Sequence, residues 1–230
     1  MTPAPEHVHI PSRDGLPLAA LVLPPGTGPG VGTAPGVVVL HGYGSRKENH
    51  LDFAERLAGA GMWALVPDLR GHGETGGDMN AGMIDDVLAC LDHLDERGAG
   101  ALGLRGSSMG GFLSLVAAPM HPKVRALVAL CPARPAPLAA RIGRDWPLGH
   151  PLEPATWRAD GVARGFWHAR GDEVVPWQNT FTLASRAAQP KHLRIEMGGN
   201  HRSLQHDPRI QEETTLFLAD HLGAGPREPR

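Results

Sequence analysis

A serine between two glycines follows a short apolar run of the sequence. The segment Gly106-Ser107-Ser108-Met109-Gly110 lies between a predicted strand, Leu102–Leu104, and a predicted helix from Met109 to Ala118. A nucleophilic serine needs such a sharp turn from strand to helix, and side chains at positions 106 and 110 would collide there. The helix N-terminus also leaves free N–H groups near the serine oxygen. We therefore predict that Ser108 is a catalytic nucleophile, although glycine-rich chains also contain this pattern by chance.

Two later loops contain an acid and a base that could activate this serine. Asp172 comes shortly after the predicted strand Val162–Trp167, with a glycine before it and an apolar anchor after it. His201 follows the predicted strand Leu193–Ile195, in a loop whose two glycines let the histidine reach another loop. The chain order serine, aspartate, histidine is one in which catalytic triads occur. The sequence predicts that His201 takes the serine proton and that Asp172 orients its imidazole.

Simpler interpretations of both residues stay open at this point. An aspartate in this position also caps turns, and Glu173 is a neighbouring carboxylate. The chain has 13 histidines, and a single histidine is usually an ordinary surface or core residue. His206 is the nearest rival of His201, but it should lie within or next to the last helix. If His201 is the base, the rate should rise with pH between about pH 5 and 8 as it loses its proton.

The loop after the predicted strand Val37–Leu40 could supply donors for an oxyanion. Acyl transfer needs N–H groups aimed at the oxygen of the tetrahedral intermediate. One donor is predicted to be the N–H of Met109, the residue after the serine, and the second the N–H of Tyr43, between two glycines. A plain turn is the alternative for this loop. His41, just before it, is predicted to be structural.

The chain alternates between strand-like and helix-like apolar patterns. Continuous apolar strands separated by amphipathic helices are typical of a mostly parallel sheet covered by helices on both faces. The sequence predicts an α/β fold with about eight strands, the first two joined at Asp14-Gly15. The predicted strands are Val8–Pro11, Leu16–Leu23, Val37–Leu40, Trp63–Val66, Leu102–Leu104, Val124–Leu130, Val162–Trp167 and Leu193–Ile195, and the predicted helices are Glu48–Ala60, Met83–Arg97, Met109–Ala118 and Pro208–Leu222.

One stretch, Pro132 to Gly161, breaks this alternation. It contains six prolines and two tryptophans without a clean period. Such insertions are usually lids or binding loops. We predict that Trp146, Trp157 and Trp177 line a pocket for the acyl or alcohol group of the substrate. Packing in the core is the alternative for each tryptophan. The predicted organisation is a single domain over residues 1–222, with a lid-like insertion at 132–161 and a disordered tail at 223–230.

Composition narrows the classes of function. The 230 residues suit one α/β domain, and 22 basic against 24 acidic residues without a basic block make nucleic acid a poor partner. Cys90 and Cys131 lie in apolar runs and are predicted to be buried thiols. The N-terminus resembles no signal peptide, and no apolar run approaches ~18 residues, so we predict no membrane span and a cytoplasmic protein.

Two further patterns are rejected as cofactor or metal sites. Gly71 to Gly76 spells G-x-G-x-x-G, but the next helix is predicted to start only near Asp78 to Gly82, which does not suit dinucleotide binding. His7 and His9 have no third ligand nearby. We predict no metal and no cofactor. The expected partner is a small-molecule ester substrate, and a homodimer is left open.

Five motifs occur in an order that resembles the α/β-hydrolase superfamily from about Val8 to Leu222. Within it, the chain is similar to small bacterial carboxylesterases, feruloyl esterases, monoacylglycerol lipases and the dienelactone-hydrolase group. Unlike dienelactone hydrolases, it has Ser108 rather than cysteine as the nucleophile, and its insertion is shorter than the cap of many feruloyl esterases and lipases. The motifs are Leu40-His41-Gly42-Tyr43-Gly44, Asp68-Leu69-Arg70-Gly71-His72-Gly73, Gly106-Ser107-Ser108-Met109-Gly110-Gly111, Gly171-Asp172-x-x-Val175-Pro176 and Gly199-Asn200-His201.

The resemblance implies a carboxylesterase-like serine hydrolase with the predicted triad. An acyl-enzyme intermediate and small to medium acyl groups are expected. An aminopeptidase-like or acyltransferase member of the same fold is the alternative. A non-catalytic binding protein is a third possibility of a different class, since a fold does not fix a function.

Overall fold

The chain forms an eight-stranded sheet within residues 4–26, 33–134 and 161–224, which the computed structural model describes. The strands are β1 (Glu6–Pro11), β2 (Pro17–Leu23), β3 (Gly36–Leu40), β4 (Trp63–Pro67), β5 (Leu102–Ser107), β6 (Val124–Leu130), β7 (Ala163–Ala169) and β8 (Lys191–Glu196). Their order in the sheet is β1-β2-β4-β3-β5-β6-β7-β8. The β1/β2 and β2/β4 pairs are antiparallel and the others are parallel. The predicted mostly parallel sheet is therefore confirmed.

The first two strands form the predicted hairpin. β1 pairs with β2 from Glu6 opposite Val22 to Pro11 opposite Pro17. Gly15 in the connecting turn has a φ of 84°, which a glycine adopts without a steric penalty. The Asp14 carboxylate accepts a hydrogen bond from the Leu16 N–H at 3.2 Å, as is common for aspartate in turns.

Helices cover both faces of the sheet. The α-helices of the described residues are α1 (Leu51–Gly59), α2 (Met83–Glu96), α3 (Met109–Ala117), α4 (Trp177–Arg186), α5 (Ser203–His206) and α6 (Pro208–Leu222). Apolar side chains of α1 and α6 pack in one buried cluster, and those of α2, α3 and α4 pack in the other. Successive β3 residues alternate between the clusters, with Val37 and Val39 in the first and Val38 and Leu40 in the second. Two apolar layers therefore fix the sheet that positions the loops.

The parallel strands bring their carboxyl ends to one edge of the sheet. β5 lies between β3 and β6, and β7 and β8 follow in the same direction. The loops after these strands therefore meet at that edge, where ligands of open α/β sheets bind.

Three helical elements differ from the sequence prediction. No separate helix was predicted at α5 (Ser203–His206). No helix was predicted at α4, whose buried residues are Asn179, Thr180, Leu183 and Ala184. Half of that face is polar, so the apolar period is weak. The helix predicted to start at Glu48 begins instead as a 3₁₀ turn, Lys47–His50, and becomes α-helical at Leu51.

The predicted insertion and tail fall mostly outside the described residues. The structure does not describe residues 135–160, which include Trp146 and Trp157, or residues 225–230. The last helix ends at Leu222 as predicted, and Gly223 caps it with a φ of 73°. Among the described helices, none has both the length and the apolar character required to cross a membrane.

Candidate active site

Ser108 lies at the turn from β5 to α3 in a strained backbone conformation. Its φ is 54° and its ψ is −113°, a region that a residue with a side chain seldom adopts. Backbone hydrogen bonds hold it there, because its N–H donates to the Leu130 carbonyl at 2.8 Å and its own carbonyl accepts from the Ala133 N–H at 3.0 Å. The turn thus follows directly from a buried strand, as the sequence predicts.

The two glycines around Ser108 are required by close backbone contacts. A Cβ on Gly106 would lie 2.1 Å from the Gly110 carbonyl oxygen, and a Cβ on Gly110 would lie 2.3 Å from the Leu40 carbonyl oxygen. Neither neighbour is a side chain that could move aside. The tight turn therefore depends on glycine at both positions.

The loop after β3 approaches the serine closely. A Cβ on Gly42 would be 3.3 Å from the Ser108 Cβ, so this loop and the turn are in contact. Tyr43 follows, and its ring is 57% exposed and packs edge-on against His72 at 5.7 Å between centroids. Met109 is the first residue of α3, where the backbone N–H has no partner within the helix. Both predicted oxyanion donors therefore belong to backbone segments that adjoin Ser108, and their role remains a prediction.

His41 is a buried structural residue. Its Nδ1 donates to the Gly42 carbonyl at 2.7 Å, and its Nε2 accepts from the Leu69 N–H at 3.0 Å. Burial lowers the pKa of His41 to about 4, so the imidazole is neutral near pH 7. The ring links the loop after β3 to the loop after β4, which is the structural role that we predicted for it.

A buried ion pair joins the same two loops. The Asp68 carboxylate accepts hydrogen bonds from the backbone N–H of Lys47 at 2.7 Å, the Lys47 Nζ at 2.8 Å and the Glu74 N–H at 2.9 Å. Burial opposes both charges, but these bonds raise the pKa of Lys47 and lower that of Asp68. The pair therefore stays ionised and fixes the loop that carries Tyr43.

Asp172 follows β7 in a turn that holds its carboxylate rigidly. Oδ1 accepts from the N–H groups of Val174 at 2.8 Å and Val175 at 2.7 Å. Burial alone would raise the pKa of Asp172, but hydrogen bonds from His168, His201 and Val175 hold it well below its usual range. The side chain is 0% exposed, so Asp172 is a buried, fully hydrogen-bonded carboxylate.

His201 contacts this carboxylate through one ring nitrogen. Its Nδ1 lies 2.7 Å from Asp172 Oδ2. Since the ionised carboxylate only accepts, Nδ1 carries the proton and Nε2 is left with a free lone pair. A Cβ on Gly171 would meet the Gly199 carbonyl oxygen at 2.6 Å, so the two loops touch through glycine backbone. The Asp172 carboxylate therefore fixes the orientation of the His201 ring, and the role of His201 as a base remains a prediction.

The two rivals are placed elsewhere. Glu173 reaches only the backbone N–H of His201, at 3.4 Å, and not its ring. His206 lies in α5, and its Nδ1 is 3.0 Å from Asp52 Oδ2. Geometry thus pairs Asp172 with His201.

A second histidine on Asp172 was missed at the sequence level. His168 in β7 places its Nε2 3.2 Å from Asp172 Oδ2. With Cys131 at the end of β6, these side chains form the one group in the described residues whose atoms are close enough to hold a metal ion. Hydrogen bonds already occupy the carboxylate. The sequence signal for His168 was weak, because a histidine in an apolar strand, four residues before the acid, looks like a core residue.

The predicted pocket residues are only partly described. Trp177 is half-buried at the start of α4, where it packs against Phe181 at 6.5 Å and lies 5.7 Å from the Arg170 guanidinium carbon. Trp146 and Trp157 lie outside the described residues. A cavity of 460 Å³ is lined by residues 194–199, Ser203, Leu204, Asp207 and Arg209. Because Ser108 and the His201 ring do not line it, we do not identify it with the site of bond cleavage.

Comparisons with known proteins agree with this geometry. Residues 34–146 match the model of the Hydrolase_4 family, described as serine aminopeptidase, S33. The solved structure of the α/β hydrolase GrgF from Penicillium sp. sh18 superimposes with a TM-score of 0.81 over 96% of this chain and 100% of that chain, at 17% identity. The chain therefore has the α/β-hydrolase fold. Est1E from Butyrivibrio proteoclasticus, solved with ferulic acid bound, matches this chain with a TM-score of 0.79 over 94% of this chain and 99% of that one, at 20% identity.

Curated relatives match this chain at the sequence level. The putative esterase YitV of Bacillus subtilis (strain 168) is 32% identical over 111 residues, which are 42% of this chain and 44% of that protein. The matched part thus spans less than half the length of YitV. The uncharacterized protein YfhR of Escherichia coli (strain K12) is 25% identical over 231 residues, covering 94% of this chain and 81% of YfhR. The predicted fold and the predicted resemblance to α/β-hydrolases are confirmed.

Proposed function

We propose that this α/β-hydrolase cleaves carboxylic esters through an acyl-enzyme intermediate on Ser108. The contact of 2.7 Å between His201 Nδ1 and Asp172 Oδ2 carries the proposal, because it leaves Nε2 free to accept a proton. Ser108 at its strained turn follows β5, and the acid and base follow β7 and β8, at the same edge of the sheet. The esterase names of YitV and of several structural neighbours support ester substrates.

In the first half of the reaction, the serine oxygen is acylated. Ser108 Oγ attacks the ester carbonyl carbon while His201 Nε2 takes the hydroxyl proton, and Asp172 stabilises the imidazolium. The N–H groups of Tyr43 and Met109 hold the oxyanion, each contributing about 3 kcal/mol to transition-state stabilisation. The carbon–oxygen bond to the alcohol then breaks, and the imidazolium returns the proton to the leaving alkoxide.

In the second half, water replaces the alcohol. His201 Nε2 takes a proton from a water molecule, whose oxygen attacks the acyl carbon. The bond between the acyl carbon and Ser108 Oγ breaks, and the proton returns to Ser108, which releases the carboxylic acid. The rate should rise with pH as His201 loses its proton. Small to medium acyl groups, with Trp177 near the site, are our proposal for the substrate.

Hydrolysis of p-nitrophenyl esters from acetyl to dodecanoyl tests this proposal. Ser108→Ala should lower kcat by about 10³-fold or more, since the nucleophile is lost. Ser114→Ala is a matched control, because Ser114 is a buried serine of α3, the helix that follows Ser108. Its hydroxyl donates to the Gly110 carbonyl at 2.8 Å. The Ser114→Ala variant should keep near-normal turnover. Equal activity of wild type and folded Ser108→Ala would exclude Ser108 as the nucleophile. The dependence of the rate on acyl-chain length indicates how large an acyl group the pocket accepts.

Peptide hydrolysis is the second candidate function. It is favoured by the match of residues 34–146 to the serine aminopeptidase model. Aminoacyl p-nitroanilides, assayed beside the esters, distinguish the two substrates. Product analysis with an added alcohol or amine tests acyl transfer, because a transferase would form a new ester or amide in preference to the free acid.

A further inference from the structure

The Asp172 carboxylate is shared by two imidazoles. Oδ2 lies 2.7 Å from His201 Nδ1 and 3.2 Å from His168 Nε2, while Oδ1 accepts from two backbone N–H groups. The His168 side chain is 0% exposed, and that of His201 is 14% exposed. One imidazole thus belongs to the open site and the other lies behind the carboxylate, in the core.

Contacts around His168 determine which ring nitrogen carries its proton. Nε2 is 3.0 Å from the Val175 carbonyl oxygen as well as 3.2 Å from the Asp172 carboxylate. Both neighbours are acceptors, so Nε2 must be protonated. Nδ1 lies 2.5 Å from Thr180 Oγ1 in α4, whose hydroxyl can donate to it. Thr180 therefore donates to His168, and the His168 Nε2–H donates to the Val175 carbonyl while facing the Asp172 carboxylate at 3.2 Å.

We propose that His168 is a positioning residue of the catalytic site, which holds the Asp172 carboxylate toward His201 and draws off part of its negative charge. The inference rests on the proposed function, because it assigns Asp172 and His201 to the triad. Two donors on Oδ2 restrict rotation of the carboxylate. A carboxylate that also accepts from His168 attracts the His201 proton less strongly, which sets the pH at which His201 becomes a base.

Other groups near Asp172 in the described residues are Cys131 and Glu173. Burial raises the pKa of the Cys131 thiol well above its usual value, and the Asp172 charge raises it further, so the sulfur stays protonated. Glu173 reaches the His201 backbone at 3.4 Å. Thr180, from α4, is uncharged. Among these neighbours of Asp172, His168 is the one whose ring N–H faces the carboxylate from the core.

The test compares four variants for kcat, KM and the pH midpoint of the rate with p-nitrophenyl acetate. His168→Leu removes the donor, whereas His168→Gln supplies an amide N–H near the position of Nε2. Thr180→Val removes the hydroxyl that fixes the tautomer. Thr182→Val is the matched control, since the Thr182 hydroxyl lies on the exposed side of the same helix and donates to the Gln178 carbonyl. Circular dichroism and thermal melting identify variants that fail to fold.

We expect His168→Leu to lower kcat by about 10- to 100-fold through misplacement of the base, with KM within about twofold of wild type. Its pH midpoint should move to higher pH. His168→Gln should restore most of the rate and the wild-type midpoint, and Thr180→Val should lie between. A folded His168→Leu protein with wild-type kcat and midpoint would overturn the proposal. If that variant does not fold, an unchanged kcat and midpoint in Thr180→Val would overturn it instead.

A titration without turnover separates this inference from the proposed function. The ring signals of His201, followed by NMR in a Ser108→Ala background, give the midpoint directly. An upward shift with His168→Leu that His168→Gln abolishes supports the link through Asp172, and an unshifted midpoint contradicts it. Absence of hydrolysis by wild type would refute the proposed function alone.

Discussion

Close backbone contacts at Gly106 and Gly110 make the serine turn intolerant of any side chain. The added Cβ atoms would lie 2.1 and 2.3 Å from carbonyl oxygens of the turn and of β3. Real Cβ atoms do not approach backbone this closely, so the backbone itself would have to shift. Ser108 would move with it.

Gly106→Ala should therefore lower both stability and activity. We expect a loss of about 1–3 kcal/mol in the free energy of unfolding, measured with urea, because overpacked sites shift backbone. The kcat should fall by about 100-fold through misplacement of the nucleophile. Gly198→Ala is the control, because its Cβ would meet nothing within 4 Å, although the residue lies in the loop that carries His201. A Gly106→Ala protein as stable and active as Gly198→Ala would show that the turn is looser than described.

Residues of the site differ in how far the sequence alone reveals them. Ser108, Asp172 and His201 each follow an apolar run and stand beside glycines, so short segments are enough to mark them. His168 acts through contacts with residues of two other elements, and no local pattern reports such contacts. Trp146 and Trp157 were predicted from composition alone, and their role stays a prediction.

At the level of elements, the Lys47–Asp68 pair ties the loop after β3 to the loop after β4. Both side chains are almost fully buried, at 1% and 0% exposure. Without Asp68, the buried Lys47 ammonium would keep only the partly exposed Glu48 and Glu74 carboxylates, at 2.9 and 3.0 Å. The loop that carries Tyr43 would lose its anchor at the same time.

Asp68→Asn should destabilise the protein by about 1.5–3 kcal/mol in urea unfolding, because the buried Lys47 ammonium loses its buried carboxylate partner. The kcat for p-nitrophenyl acetate should also fall, since the Tyr43 N–H shifts. Asp85→Asn is the control, because the Arg13–Asp85 pair is exposed, at 59% and 43%. It should change stability by less than about 1 kcal/mol. Similar effects of both substitutions would contradict a special role of the buried pair.

The elements with a strong apolar period were predictable, and those with a polar buried face were not. The predicted bounds of α6, Pro208 to Leu222, and of β6, Val124 to Leu130, agree with the structure. Helix α4 was missed because Thr180 and Asn179 occupy its buried face. Thr180 is polar there because it faces His168, and that contact exists only in the folded chain.

At the scale of the whole molecule, two buried histidines, His41 and His50, couple stability to pH. Burial lowers the pKa of His41 to about 4 and that of His50 to about 3. Unfolded histidines bind a proton below about pH 6.5. Between that pH and the folded pKa values, the unfolded state binds more protons, so acid favours unfolding. Stability contributed by the neutral rings is complete above about pH 6.5 and is lost as the pH falls toward about pH 4.

His50→Gln should flatten this pH dependence. Each neutral histidine contributes up to about 1.4 kcal/mol per pH unit in that interval, so the variant should lose less stability between about pH 6.5 and 4 than wild type. Urea unfolding at several pH values measures the slope. His9→Gln, which removes an exposed histidine of β1, is the control. Equal slopes for wild type and His50→Gln would show that His50 is not buried as a neutral ring.

The order of the strands separates the proposed nucleophile from the residues proposed to activate it. Ser108, Tyr43 and Met109 belong to the part of the chain that ends with β6, whereas Asp172 and His201 belong to the part that begins with β7, and the two parts meet along the β6/β7 ladder. Neither polypeptide fragment, cut between these strands, would contain a complete set of reacting groups. Hydrolysis would then require the fragments to reassociate, so this scaffold is suited to conversion into a split reporter whose signal depends on two tethered partners coming together.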